Sequence, residues 1–326
     1  MKVLGIESTA HTFGVGILNG KKILANVKSL YTTKKGGLIP VKLAEHHIEV
    51  SDSIINEALK KAKLSIKDID VIAFSIAPGL GPSLRVGATV AKSLSLLHNI
   101  PIVGVNHAIA HLEIGKMLSG FKDPILLYTS GANTQVIAYE GGKYRVFGET
   151  LDIGIGNFLD SFARHTGLGF PGGPKIEILA KKGTKYIELP YSVKGMDVSF
   201  GGLLTNLKTK YNSKKYKLED LSYSMQETVF AMMTEVSERA LAHTEKKELV
   251  IGGGVACNKR LQEMCDTMCK ERSAKFFSPT NEFLVDNGAM IAWLGSLMYK
   301  AGIINTVKDS KIRPYERTDD VNVSWV

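Results

Sequence analysis

A repeated order of strands and turns constrains this chain more than any other feature. KVLGI reads as an apolar strand, ESTAHT as a turn of small residues and FGVGIL as a second strand. Asn19-Gly20 then makes a two-residue hairpin turn into a third strand, KILANV. Residues 125–149 repeat the syntax with ILLY, the turn TSGAN, TQVIAYE, the pair Gly141-Gly142 and YRVFGE. The second part of each half matches too. DVIAFS passes through APGLGPS into a helix beginning near Ser83, and ELVIGGG passes through Val255 and Ala256 into a helix containing Asn258. Each helix amino terminus is expected to be open to an anion. A chain of 326 residues exceeds one ordinary core. The expectation is therefore two α/β lobes, each a sheet covered by helices: 1–126 with 300–326, and 127–299 carrying helical insertions.

A duplicated meander followed by strand–helix units is the architecture of the actin, sugar-kinase and Hsp70-like (RNase H-like) nucleotide binders, whose lobes flank a nucleotide cleft. That analogy sets an expectation about fold and says nothing of the reaction. With 44% hydrophobic and 22% charged residues, the composition is that of a folded protein. Cys257, Cys265 and Cys269 are odd in number, which argues against a disulfide scaffold and for a reducing compartment. Cys265 and Cys269 share a helical face and are expected to pack in a core. The run in MKVLGIES stops at Glu7, too short for a signal peptide, and no apolar stretch approaches the ~20 residues of a membrane span. The chain is expected to be soluble, cytoplasmic and without a membrane partner. A net charge of +9 includes clusters at Lys60-Lys61, at Lys181-Lys182 and in KTKYNSKKYK (208–217). Such a field draws polyanions and makes RNA a candidate partner, with solvated lysine faces as the plain alternative.

Small residues in the two meander turns place backbone N–H groups where a phosphate could sit. They are Glu7, Ser8 and Thr9, with His11 nearby, and Thr129, Ser130, Gly131, Ala132 and Asn133. APGLGPS lacks the lysine of a Walker loop. GGGVACN is expected to serve the base or ribose through Asn258, while Asp160 and Glu177 suit either ribose hydroxyls or solvated helix faces. His107 and His111, in NHAIAH, share one helical face and can be a structural pair or a metal pair. Tyr128 at the end of ILLY and Asp286 in FLVDNGAMIAW complete a candidate N/O ligand set suited to zinc or iron. Between the histidines stand Ala108, Ile109 and Ala110, so the glutamate base of a metalloprotease HExxH is missing. His46-His47 reads as packing or surface.

Nine segments in order resemble one family: GIESTAHTFGVGI, PGLGPSLRVGAT, GVNHAIAH, LYTSGANTQV, GETLDIGIGN, FPGGP, KGMD, GGVACN and DNGAMIAW. This is the universal tRNA threonylcarbamoyladenosine transferase family, in the variant that is the archaeal and eukaryotic catalytic subunit of the KEOPS complex. The resemblance implies an acyltransferase. It would take threonylcarbamoyl-adenylate from a separate synthase, acylate the N6 amine of the adenosine 3′ of the anticodon in tRNAs reading ANN codons, and release AMP. It implies one divalent metal, Fe2+ foremost and Zn2+ next, on His107, His111, Tyr128 and Asp286. It also implies ATP- or AMP-type nucleotide contacts from Tyr128, Thr129, Ser130, Gly131, Ala132, Asp160, Gly173, Glu177 and Asn258. The implied partners are tRNA, a small atypical protein kinase subunit and other KEOPS subunits; with no kinase segment after residue 320, that kinase is expected on a separate chain. No residue is assigned as general base. Three positions depart from the family: Ala132 for a usual glycine, Gly201 for a serine and Ala108 for a common cysteine. The rival readings are an ATPase or a scaffold subunit of the same fold. Paired histidines are foreign to the Mg2+ chemistry of such ATPases.

Overall fold

A computed structural model describes residues 1–33 and 38–326. The chain forms two compact units. One comprises Met1–Gly120, Glu140–Tyr144 and Val285–Val326, the other Phe121–Tyr139 and Arg145–Leu284. The division differs from the expected boundary: residues 140–144 and 285–299 belong to the first unit and 121–126 to the second.

In the first unit, β1 (Lys2–Glu7), β2 (Thr12–Asn19) and β3 (Lys22–Leu30) form the antiparallel meander, with Gly20 at φ 60° in its second hairpin turn. After α1 (Pro40–Ala62), β4 (Val71–Ala77) pairs parallel to β1. Then α2 (Gly81–His98), β5 (Ile102–Asn106) and α3 (His107–Ser119) follow, giving the sheet order β3-β2-β1-β4-β5. Alternation along β1 divides the two faces. Leu4 and Ile6 join Ile54, Ile55, Ala88 and Ala91 of α1 and α2 in one core.

In the second unit, β6 (Ile125–Thr129), β7 (Thr134–Glu140) and β8 (Lys143–Glu149) form the second meander. Next come α4 (Ile155–His165), α5 (Gly173–Ala180), a ribbon of β9 (Val193–Lys194) and β10 (Asp197–Val198), α6 (Gly201–Asn212) and α7 (Leu218–Thr244). Then β11 (Glu248–Gly252), α8 (Lys259–Glu271), β12 (Lys275–Phe277) and α9 (Asn281–Leu284) complete it. The sheet order β12-β11-β6-β7-β8 repeats that of the first, with β11 parallel to β6 and β12 parallel to β11. Phe158, Phe162, Leu203, Val229, Phe230 and Cys265 lie at the centre of its core.

The last helix, α10 (Gly288–Lys300), returns to the first unit, buried from Gly288 through Ser296. Its position depends on glycine. A Cβ on Gly5 would stand 2.2 Å from Ala292 N, and one on Gly16 2.2 Å from Ala289 N. The helix therefore lies directly on the backbone of β1 and β2, and this contact carries residues 285–299 into the first unit. Among the described residues, no helix is long and apolar enough to cross a membrane.

Candidate functional site

Two helix starts and one strand end meet in the first unit. Asn106 closes β5, and its Oδ1 accepts hydrogen bonds from Ala108 N at 3.1 Å and Ile109 N at 3.3 Å. That cap makes His107 the first residue of α3. His111 follows one turn later, with its ring 4.8 Å from that of His107 at 83°. Asp286 precedes Asn287, the cap of α10, whose Oδ1 accepts from Met290 N at 3.0 Å. The close seat of α10 on the sheet brings Asp286 Oδ1 to 3.4 Å from His107 Nε2 and 3.6 Å from His111 Nε2.

The ligand atoms of His107, His111 and Asp286 all lie within 4.8 Å of one another. A tetrahedral ion with bonds of about 2.1 Å needs donor atoms about 3.4 Å apart, so both edges to Asp286 suit it. The charge states suit it as well. Burial pushes the His111 imidazole below its ordinary pKa against the pull of Asp286, favouring the neutral form that binds metal. Burial by itself would raise Asp286, but His107 and then His111 beside it hold the carboxyl well below the usual range. Two nitrogens and one carboxylate fit borderline ions such as Fe2+ or Zn2+.

Behind His107 stands a residue whose expected role changes. Glu7 was expected near phosphate, yet it is fully buried. Its Oε2 lies 2.8 Å from His107 Nδ1, and its Oε1 accepts from Thr9 N at 2.6 Å and Thr9 Oγ1 at 2.5 Å. Ser8 N donates to Ser75 Oγ at 3.0 Å, while the Ser8 hydroxyl is packed over Gly87. The side chains of Glu7 and Thr9 and the backbone N–H of Ser8 are thus engaged inside the protein, and a phosphate would also meet the buried Glu7 side chain. Only His11 of that group is partly exposed. Sequence reading missed the Glu7–His107 pair because 100 residues separate its members.

Tyr128, the last residue but one of β6, lies in the second unit at 2% exposure, whereas His107, His111 and Asp286 belong to the first. Thr129 is buried and donates its hydroxyl to Gly252 O at 3.2 Å. Ser130 N donates to Asn133 O at 2.8 Å, and the Ser130 and Gly131 carbonyls accept from Gly156 N and Asn157 N of α4. The glycines around this turn permit close packing. A Cβ on Gly154, Gly156 or Gly253 would stand 2.5, 2.7 or 2.4 Å from the backbone of residues 129–132. Gly131 and Ala132 are exposed at the tip. Ala132 is not among the described residues with positive φ, so its methyl is accommodated.

The amino terminus of α8, expected to be open, is closed. Asn258 Oδ1 accepts from Arg260 N at 2.9 Å, its Nδ2 donates to Gln226 Oε1 at 2.9 Å, and Glu177 Oε1 takes Lys259 N at 3.4 Å. Asp160 Oδ1 accepts from Gly172 N at 2.7 Å, fixing the turn that starts α5 at Gly173. Asp152, which the sequence places before a helix without a role, caps α6 by accepting from Phe200 N at 2.9 Å and Gly201 N at 2.7 Å. A Cβ on Gly201 would come within 2.9 Å of that carboxylate.

The repeated sheets place the molecule in the duplicated actin-like α/β class. Solved structures agree. The chain superposes on HypF from T. kodakarensis with a TM-score of 0.64 at 15% identity, over 92% of this chain and 48% of that one, about half its length. For component A of the (R)-2-hydroxyglutaryl-CoA dehydratase of Acidaminococcus fermentans, the TM-score is 0.55 at 16% identity, over 90% and 97% of the two chains. These likenesses concern fold alone. A family model described as "TsaD: tRNA N6-adenosine threonylcarbamoyltransferase" matches residues 22–293. A tRNA N6-adenosine threonylcarbamoyltransferase of Thermococcus sibiricus is 59% identical over 100% of both chains. A probable bifunctional tRNA threonylcarbamoyladenosine biosynthesis protein of Thermoplasma acidophilum is 52% identical over 100% of this chain and 61% of that protein. The chain belongs to the tRNA N6-adenosine threonylcarbamoyltransferase family and is an acyltransferase of tRNA adenosine.

Proposed function

We propose that the chain transfers the threonylcarbamoyl group of threonylcarbamoyl-adenylate to N6 of the adenosine 3′ of the anticodon in tRNAs reading ANN codons. The N6 nitrogen attacks the carbamoyl carbonyl carbon, the new C–N bond forms, and the bond from that carbon to the phosphate oxygen breaks. AMP leaves with the electron pair, and the amine proton passes to a base. The observation that carries this reading is the His107–His111–Asp286 cluster, with both histidines buried, in a chain 59% identical to a named transferase.

Those three residues would hold one divalent ion, Fe2+ or Zn2+. When bound, such an ion supplies Lewis-acid polarisation and orientation of an acyl oxygen. The anhydride is already activated, so the lack of a glutamate between the histidines is no obstacle. In the second unit, the exposed tip Gly131-Ala132, with Thr129 and Ser130, would contact the adenylate phosphate, and Asp160, Gly173 and Glu177 its ribose. The side chain of Asn258 is already engaged with Gln226 and the start of α8, so it would act by holding that helix start in place. Binding and aligning the two substrates would contribute much of the rate, since the attacking amine is a weak nucleophile.

We further infer that the chain works in the cytoplasm as the catalytic subunit of a KEOPS-type complex with a small kinase. Its alignment to 61% of a longer protein named as bifunctional supports a joined or associated second activity. The decisive experiment combines the chain, tRNA and threonylcarbamoyl-adenylate, with and without partner subunits, and reads the modified nucleoside by mass spectrometry. Wild type is expected to form it and His111→Ala to lose it. Equal product from both would defeat the metal-dependent reading.

A further inference from the structure

Glu7 is a buried acid that the transfer reaction does not use directly. It ends β1, has no exposed surface, and makes three short polar contacts. Two come from Thr9 to Oε1, at 2.6 Å from N and 2.5 Å from Oγ1, and they hold the carboxylate in one rotamer. The third is to His107, with Oε2 2.8 Å from Nδ1. Thr9 Oγ1 lies 3.4 Å from the same nitrogen. The opposite ring nitrogen, Nε2, faces Asp286 Oδ1 at 3.4 Å.

We propose that Glu7 is a positioning residue for the metal centre: it keeps the imidazole proton of His107 on Nδ1 and thereby leaves Nε2 as the ligand atom. The physical reason is direct. A neutral imidazole has one N–H and one bare nitrogen, and a carboxylate within hydrogen-bond reach determines which is which. It also restrains the ring plane and raises the basicity of the far nitrogen, as acids behind metal-bound histidines do generally. Glu7 lies on the Nδ1 side of His107, opposite the nitrogen that faces Asp286, so its hydrogen-bonding influence passes through the His107 ring. Thr9 in turn restrains Glu7. The proposal rests on the reading of His107, His111 and Asp286 as a metal site and extends it by one layer.

Two measurements on the full chain test it. Zn2+ affinity, read by competition with a chromogenic chelator, is expected to fall about 10–100-fold in Glu7→Gln, with a smaller fall in Thr9→Val. The metal-free melting temperature of Glu7→Gln should stay within a few degrees of wild type, and His111→Ala should lose binding more severely. Long-range 15N–1H spectra of metal-free wild type should report His107 protonated on Nδ1, and this readout needs no variant to fold. A His107 ring protonated on Nε2, or unchanged Zn2+ affinity in a folded Glu7→Gln, overturns the proposal. A wild-type chain that binds neither Zn2+ nor Fe2+ overturns the metal reading and this proposal together. A chain that binds the ion through Glu7-oriented His107 but makes no modified tRNA leaves this proposal standing and defeats the proposed reaction.

Discussion

Asp286 is the acid of the three-residue cluster, and its side chain is 16% exposed against 6% for His107 and 1% for His111. Replacing it by asparagine keeps the shape and removes the charge that offsets a divalent cation. Asp286→Asn is expected to bind Zn2+ at least ~10-fold more weakly in chelator competition, because a neutral amide oxygen is the poorer ligand. The cysteines give a second prediction at this scale. Burial pushes the thiols of Cys265 and Cys269 up to about 12, and both are fully enclosed. At pH 8 they therefore carry almost no thiolate, which is the reactive form. Iodoacetamide should leave both unmodified in the native chain and alkylate both in denaturant, as peptide mass mapping would reveal.

Among the elements, α3 and α10 bring the ligands together by different means. α3 depends on its cap: Asn106→Ala removes the acceptor for Ala108 N and Ile109 N at the turn that bears His107. The expected loss is about 1 kcal/mol in denaturant unfolding. α10 depends on absent side chains. Gly16→Ala would drive a methyl to 2.2 Å from Ala289 N, forcing helix and sheet apart. It should cost about 1–3 kcal/mol and also weaken Zn2+ binding, because Asp286 travels with the helix. Gly20→Ala is the control. Its Cβ would meet open space, and only the left-handed turn at φ 60° objects, at about 1–2 kcal/mol with Zn2+ affinity unchanged.

At the scale of the whole molecule, a net charge of +9 points to a polyanionic substrate. Within the second unit, Lys185 and Lys217 stand near Asp220 at the start of α7. The N–H groups of Thr184 and Lys185 donate to Asp220 in the first turn of α7, and Lys214, Lys215 and Lys217 lead into the same helix. Lys185→Glu with Lys217→Glu is expected to weaken tRNA binding in filter assays and to reduce its salt slope by about 1 for each phosphate no longer neutralised, with Zn2+ affinity unaltered. Much of the architecture was legible without coordinates. Both meanders, the Asn19-Gly20 turn and the helix opening at His107 depend on backbone geometry and neighbours a few residues away, so their signals are local. The histidine pair was legible for the same reason. Residues 285–299 fall outside the expected lobe because their place follows from a glycine contact with β1 and β2 that no local pattern records. Glu7 behind His107 was invisible for a related reason: a hydrogen bond across 100 residues exists only once β1 and β5 flank β4 in one sheet. The sequence by itself thus determined the elements, their duplication and the chemistry available. Tertiary structure alone decided which donors meet, because the ångström-level separation of side chains on different elements is a property of packing.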